Sequence, residues 1–385
     1  MLLRARHYAT GEPIDLLLDN DRIASVTVSP RHRVTGSSLP WVAPALFDLQ
    51  INGCEGHSFN SERLMVDTVR HVVRVCRRHG IGGLCPTLIT NGFDALAHGM
   101  ATVRQACETD AEVARAVPAI HLEGPYISPE DGPRGAHPKE HVRRPDWDEF
   151  RRLQDASGGR IRLVTLAPEH DGALGFIERL TAAGVVAAIG HTAAEGACIR
   201  DAVRAGARLS THLGNGAHAL LPRHPNYIWE QLAADELWAS IICDGHHLPP
   251  AVIRCIVRVK TPARTVLTCD ASSLAGVPPG RYREWGQDID VLPEGKIVVA
   301  GTPYLAGSWA FLDRCIGRVV RDAGVSLADA VDMAGARPRE LLGLPPLRLE
   351  AGMPADLVLL EADGENFAVK ETLIAGRRQD SAPAP

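Results

Sequence analysis

The chain reads as an α/β protein: a (β/α)8 TIM-like barrel with a small β-sandwich domain built from both chain ends. Three observations predict this. From residue 43 to about 335, some eight short apolar runs alternate with helical segments, and apolar strands interleaved with helices form parallel sheets with covered faces. That many units in roughly 300 residues fit a closed ring better than an open sheet. At both ends the texture changes to short strands and turns, as in "IDLLLDNDRIASVTV" and "LRLEAGMPADLVLLEADGENFAVKETLIAGR".

In chain order, residues 1–42 are strands, with a turn at Asn20-Asp21. The repeating units begin with "APALFDLQING" and a helix from Ser61, then "GLCPTLIT" and a helix from Asp94. "AVPAIHLEGPY", "IRLVTLAPE", "GVVAAIGHT", "ARLSTHLGN", "LWASIICDG" and "RTVLTCDAS" supply the other strands. The expected domains are therefore 1–42 with 345–380 (the small β domain), 43–344 (the barrel) and a disordered tail at 381–385.

Composition narrows the function. With 45% hydrophobic and 23% charged residues the chain is an ordinary globular protein. A net charge of −5 gives no global field for nucleic acid or an anionic membrane. The basic stretch "RHVVRVCRRHG" has helical apolar spacing at Val69, Val72, Val73 and Cys76, so its arginines are a wet helix face. Nine cysteines, an odd number without CxxC, several in apolar runs, read as reduced buried thiols. With no apolar stretch suited to a signal peptide or membrane span, the expected location is cytoplasmic.

In such a barrel the chemistry sits at the C-terminal ends of the strands. "AIHLEGP" ends in Glu123, "VVAAIGHT" in His191, "RLSTHLGN" in His212 and "TVLTCDAS" in Asp270, while "IICDGHH" adds Asp244, His246 and His247. Two imidazoles and a carboxylate with an open position make a mononuclear catalytic metal site, most often zinc. A further carboxylate nearby can take a proton from water acidified by the cation.

These residues carry a specific resemblance. "HLEGPYISPEDGPRGAHPKEHV", "TLAPE", "GHTAA", "THLGNGAH", "ASIICDGHHLPP", "CDAS", "LAGSWAFLDRC" and the closing "GMPADLVLLE" stand in the order seen in N-acetylglucosamine-6-phosphate deacetylases of the amidohydrolase superfamily. The resemblance runs over nearly the whole chain. It implies Glu123, His191 and His212 as ligands of one divalent metal ion per subunit, zinc first, with Fe2+, Co2+ or Mn2+ as alternatives. It also implies Asp270 as general base and acid, and His247 as the group that polarises the substrate carbonyl. Asn215 and Gly216 match the loop that holds the sugar phosphate, Arg223 a phosphate-binding arginine often supplied across a homodimer interface, and His137 a histidine near the sugar. The partner is then a small-molecule amino sugar, not nucleic acid or membrane.

Departures from the pattern are informative. Many amidohydrolases carry H-x-H on the first strand for a second metal; here Gln50 and Asn52 stand in "DLQING", and neutral amides are poor zinc ligands. One metal is expected, with His57 of "GCEGHSFN" read as a loop residue rather than a substitute ligand. Gly216-Ala217 replaces the more usual Ala-Met, and "LLPRHPNYIWEQL" is bulky where relatives are small and glycine-rich. Its aromatics, Tyr227 and Trp229, either face the sugar or pack at an interface. Three rivals remain: a deacetylase of an unphosphorylated or different N-acetyl hexosamine, a D-aminoacylase, and a non-catalytic sugar-binding relative. The proton-carrying Asp270 argues against the last.

Overall fold

The computed structural model describes residues 1–29, 39–363 and 366–380; the expected tail at 381–385 lies outside them. Eight parallel strands form the central sheet: β1 (Leu46–Ile51), β2 (Ile81–Ile89), β3 (Ile120–Glu123), β4 (Ile161–Leu166), β5 (Val186–Ile189), β6 (Leu209–Ser210), β7 (Trp238–Ile242) and β8 (Thr265–Thr268). Neighbours in sequence are neighbours in the sheet. The ring closes where Ala271, just past β8, bridges in parallel to Ile51, with Asn52 N–H donating to the Ala271 carbonyl at 2.9 Å. Buried Asp48 fastens the same seam, accepting from Thr268 Oγ1 at 2.5 Å and Cys269 N–H at 2.9 Å. Burial alone pushes the Asp48 carboxyl pKa up.

Helices cover the ring because their sequences are striped. Leu312–Ala323 buries Cys315, Ile316 and Val319 at helical spacing, and starts and stops are chemically marked. Asp110, Asp146, Asn226 and Ser326 each accept backbone N–H groups at a helix N-terminus. Both chain ends join in one seven-stranded sheet with the order Arg377–Arg378, Asn366–Ile374, Leu357–Asp363, Trp41–Pro44, Leu2–His7, Pro13–Asp19, Arg22–Val28. Leu16, Ile23, Leu357 and Leu373 are among its buried side chains.

Inside the ring the side chains change character along the strands. One apolar layer comprises Phe47, Cys85, Ala119, Leu163, Ala188, Leu209, Trp238 and Val266, all in one buried cluster. Two residues onward, the period at which a strand repeats its face, come Thr87, His121, Thr165, Thr211, Ser240 and Thr268, all buried. They bond to one another or to nearby backbone: His121 Nε2 meets Thr165 Oγ1 at 2.8 Å, and Thr165 Oγ1 meets Thr211 Oγ1 at 2.8 Å. Burial lowers the His121 pKa to about 4, so its ring is neutral there at ordinary pH. One further step brings the chain to Ile89, Glu123 and Asp270, at the mouth.

Candidate active site

The mouth encloses a cavity of about 260 Å3 into which residues from seven strand ends project. Glu123 is the last residue of β3; His191 and His212 each lie two residues past the ends of β5 and β6; Asp270 lies two past β8. His191, His212 and Asp270 have left-handed backbone, with φ of 51°, 30° and 51°. That conformation costs on the order of 1–3 kcal/mol per residue and persists where the surroundings over-determine it, commonly at functional sites. His191 and His212 thereby leave their strands' alternation and reach the cavity, while Asp270 reaches it in step with Val266 and Thr268.

Three atoms converge. Glu123 Oε1 lies 3.2 Å from His191 Nε2 and 3.0 Å from His212 Nε2, and the two Nε2 atoms are 3.1 Å apart. These three residues are the metal-competent group among the described residues, and all are buried. His191 Nδ1–H donates to the Pro133 carbonyl at 2.8 Å, which leaves its Nε2 lone pair facing Glu123. His212 Nδ1 is buried without a partner among the described residues. The two histidines hold the Glu123 carboxyl pKa well below its usual range despite burial. A carboxylate and two imidazoles within touching distance fit one divalent cation, with the cavity leaving a position open.

The amides noted on the first strand clamp this centre. The ladder between β1 and β2 slips between Asp48 and Ile51, a device that re-aims side chains next to sites. Gln50 Nε2 then donates to Glu123 Oε1 at 2.9 Å, and Asn52 Nδ2 to Asp270 Oδ1 at 2.7 Å. Burial, and after it the Glu123 charge, push the Asp270 pKa up to about 8. A carboxyl group so placed exchanges protons near neutral pH. His247 Nδ1–H donates to Asp244 Oδ2 at 2.7 Å, which orients the ring and leaves Nε2 as its free nitrogen; the neighbouring histidine holds Asp244 well below the carboxylate range. His137 is packed against the His191 ring, its Nδ1 2.8 Å from Thr90 Oγ1, and burial lowers its pKa to about 3.

Of the residues singled out from sequence, Glu123, His137, His191, His212, Asn215, Gly216, His247 and Asp270 line this one cavity. Gly216, at φ 55°, has no room for a side chain: a Cβ would come 2.8 Å from His191 Nδ1. Arg223 does not join them; it is exposed on the loop after β6. His57 lies apart from the three converging ligands, packed on the His71 ring. Tyr227 is buried, its hydroxyl accepting from His218 N–H at 2.8 Å, and Trp229 is exposed; neither lines the cavity. The aromatics that do are Trp285 and Tyr304. Trp285 sits on a three-stranded antiparallel sheet, Gly280–Glu284, Gln287–Val291 and Ile297–Val299, inserted after β8. Sequence reasoning passed over it, though the alternation around Trp285-Gly286 in "RYREWGQDIDV" is a hairpin signal.

Fold and site together define a barrel whose mouth carries a buried carboxylate and two imidazoles able to hold a divalent cation. An amidohydrolase family model matches residues 41–378, and the chain belongs to that family. It is 34% identical to the N-acetylglucosamine-6-phosphate deacetylase of Bos taurus, over 87% of this chain and 82% of the relative. It is 31% identical to the N-acetylgalactosamine-6-phosphate deacetylase of Escherichia coli O157:H7, over 94% and 95%. A solved mutant of the Mycobacterium smegmatis N-acetyl-D-glucosamine-6-phosphate deacetylase, in complex with that sugar phosphate, superimposes with a TM-score of 0.87. It is 34% identical and covers 98% of both chains.

Proposed function

We propose that the chain is a metal-dependent deacetylase that hydrolyses N-acetylglucosamine 6-phosphate to glucosamine 6-phosphate and acetate. The observation that carries this reading is the meeting of Glu123, His191 and His212 at one point in the cavity that also holds Asp270. The named relatives supply the substrate class.

Glu123, His191 and His212 would hold the cation, zinc being the first choice for a nitrogen and oxygen ligand set. When bound, it supplies Lewis acidity to an amide carbonyl and acidifies water. Asp270, steadied by Asn52, takes a proton from the attacking water as the new C–O bond forms. The C–N bond then breaks, and Asp270 returns that proton to the leaving amine. His247, paired through Nδ1–H with the Asp244 carboxylate, would in its imidazolium form donate from Nε2 to the carbonyl oxygen as negative charge develops there. Asn215 and the Gly216 backbone hold the phosphate. Arg223 completes that grip from a second copy of the chain in a homodimer. Its loop is exposed and flanked by Leu220 and Trp229, which are 91% and 55% exposed. No helix among the described residues is long and apolar enough to cross a membrane, and nine free cysteines support a cytoplasmic setting.

The test is acetate release by metal-quantified protein from N-acetylglucosamine, N-acetylgalactosamine and their 6-phosphates. Turnover confined to unphosphorylated sugars would overturn the phosphate assignment, and preference for the galacto epimer would move the substrate toward the Escherichia coli relative. His191→Ala and His212→Ala should each lose bound metal by elemental analysis; retention in both would end the ligand assignment.

A further inference from the structure

A second cavity, of about 690 Å3, opens beside the first. Its walls come from the segments after β1 (within 56–68), at the end of β2 (89–91) and after β3 (within 138–141), and from the hairpin tip. In the ring that is the side away from the β6 segment that carries Asn215 and Gly216. The two cavities share Ile89 and Trp285 as lining residues.

Trp285 is an unusual choice for its position. With Gly286 it forms a two-residue turn in which both φ values are positive, 49° and 73°. Asn-Gly is the favoured pair there, and a bulky residue is strained. The tip is nonetheless fastened over the site, since Gln287 Nε2 donates to the Ala136 carbonyl at 3.3 Å, next to His137. The indole Nε1 of Trp285 is shut off from solvent and has no partner among the described residues. Strain and an unspent donor at a cavity wall point to a ligand contact.

The chemistry of the second cavity selects the ligand. Glu62, Glu140 and Glu284 face it with Arg63 and Arg283, so an anion meets no net positive charge. No hydrogen bond or ion pair among the described residues engages the side chains of Glu62, Glu140, Arg63 or His141. Free donors and acceptors of both kinds beside an aromatic ring suit the hydroxyls and apolar face of a neutral sugar.

We infer that this cavity is an accessory carbohydrate subsite: the enzyme accepts a phosphorylated N-acetylhexosamine joined to a second, neutral sugar ring, with Trp285 as the wall between the two rings. The inference rests on the deacetylase reading above and deepens its substrate class.

The experiment compares acetate release from N-acetylglucosamine 6-phosphate with release from its β-1-linked and 4-linked glucosyl derivatives. The wild-type protein is set beside the double variant Arg63→Ala/His141→Ala, whose altered residues line only the second cavity. One glucosyl derivative is expected to match or exceed the monosaccharide in kcat/KM. The double variant should lower that value about ten-fold, the effect of one or two lost hydrogen bonds, and leave the monosaccharide unchanged. Trp285→Ala should raise KM for the glucosyl derivative more than for the monosaccharide. If the monosaccharide is hydrolysed and neither derivative is, or if the double variant affects both alike or neither, the subsite is refuted and the deacetylase reading stands. If no substrate is hydrolysed, both fall.

Discussion

The two ends of the same eight strands are built on opposite principles. At the floor, Phe47, Leu163, Leu209 and Trp238 fill the ring with apolar volume, and what matters there is packing density. Two steps along, at the mouth, two carboxylates and two imidazoles are buried together on partly left-handed backbone. Each of those features opposes folding. The difference teaches where the molecule keeps stability and where it keeps chemistry: a floor that tolerates nothing but fit supports a mouth chosen for function. Between them the layer of threonines with His121 satisfies polar atoms that an apolar core would strand.

The largest test of this contrast is Asp270→Asn. It should lower kcat by about 10^3-fold or more, as expected for loss of a general acid–base, with metal content unchanged. Thermal stability should hold or rise, since a carboxylate buried beside Glu123 is removed; a drop of many degrees would mean that the mouth is also structural. Phe47→Ala is the converse. Denaturant unfolding should show a loss of about 3–5 kcal/mol, while kcat/KM of the folded fraction stays near wild type. A smaller effect is expected of Asp244→Asn, which leaves His247 unoriented: about 10–100-fold in kcat, by analogy with lost partners of metal-ligating histidines, and an altered pH profile.

The smallest effect belongs to Lys260, near the floor, whose Nζ donates to the Ala234 carbonyl at 2.6 Å. Burial lowers its pKa from 10.5 to about 8. Between those values the unfolded chain binds more protons than the native one, so this group makes stability rise with pH from about 8 to 10.5. Lys260→Met should flatten that segment of the stability curve; an unchanged slope would disprove the assignment.

Much of this was legible because strand ends announce themselves. In "AIHLEGP" the spacing of Ala119, His121 and Glu123 already runs from floor to mouth, and Glu123, His191 and His212, which the structure brings together, all stand at such endings. Other features could not be read. Whether Tyr227 faced the sugar depended on its hydroxyl finding His218 N–H. The clamp from Asn52 to Asp270 joins residues 218 apart in the chain. Trp285 reaches both cavities through a hairpin that the barrel rhythm does not include.

Alternation and element order, which are local properties, determined by themselves that this chain has parallel strands under helices and where its chemical side chains stand along them. The closing of β8 against β1, the slip that aims Gln50 at Glu123 and the hairpin folded over the mouth belonged to the tertiary structure. Each depends on which distant groups finally meet, and a buried polar atom takes its partner from whatever packing brings within reach.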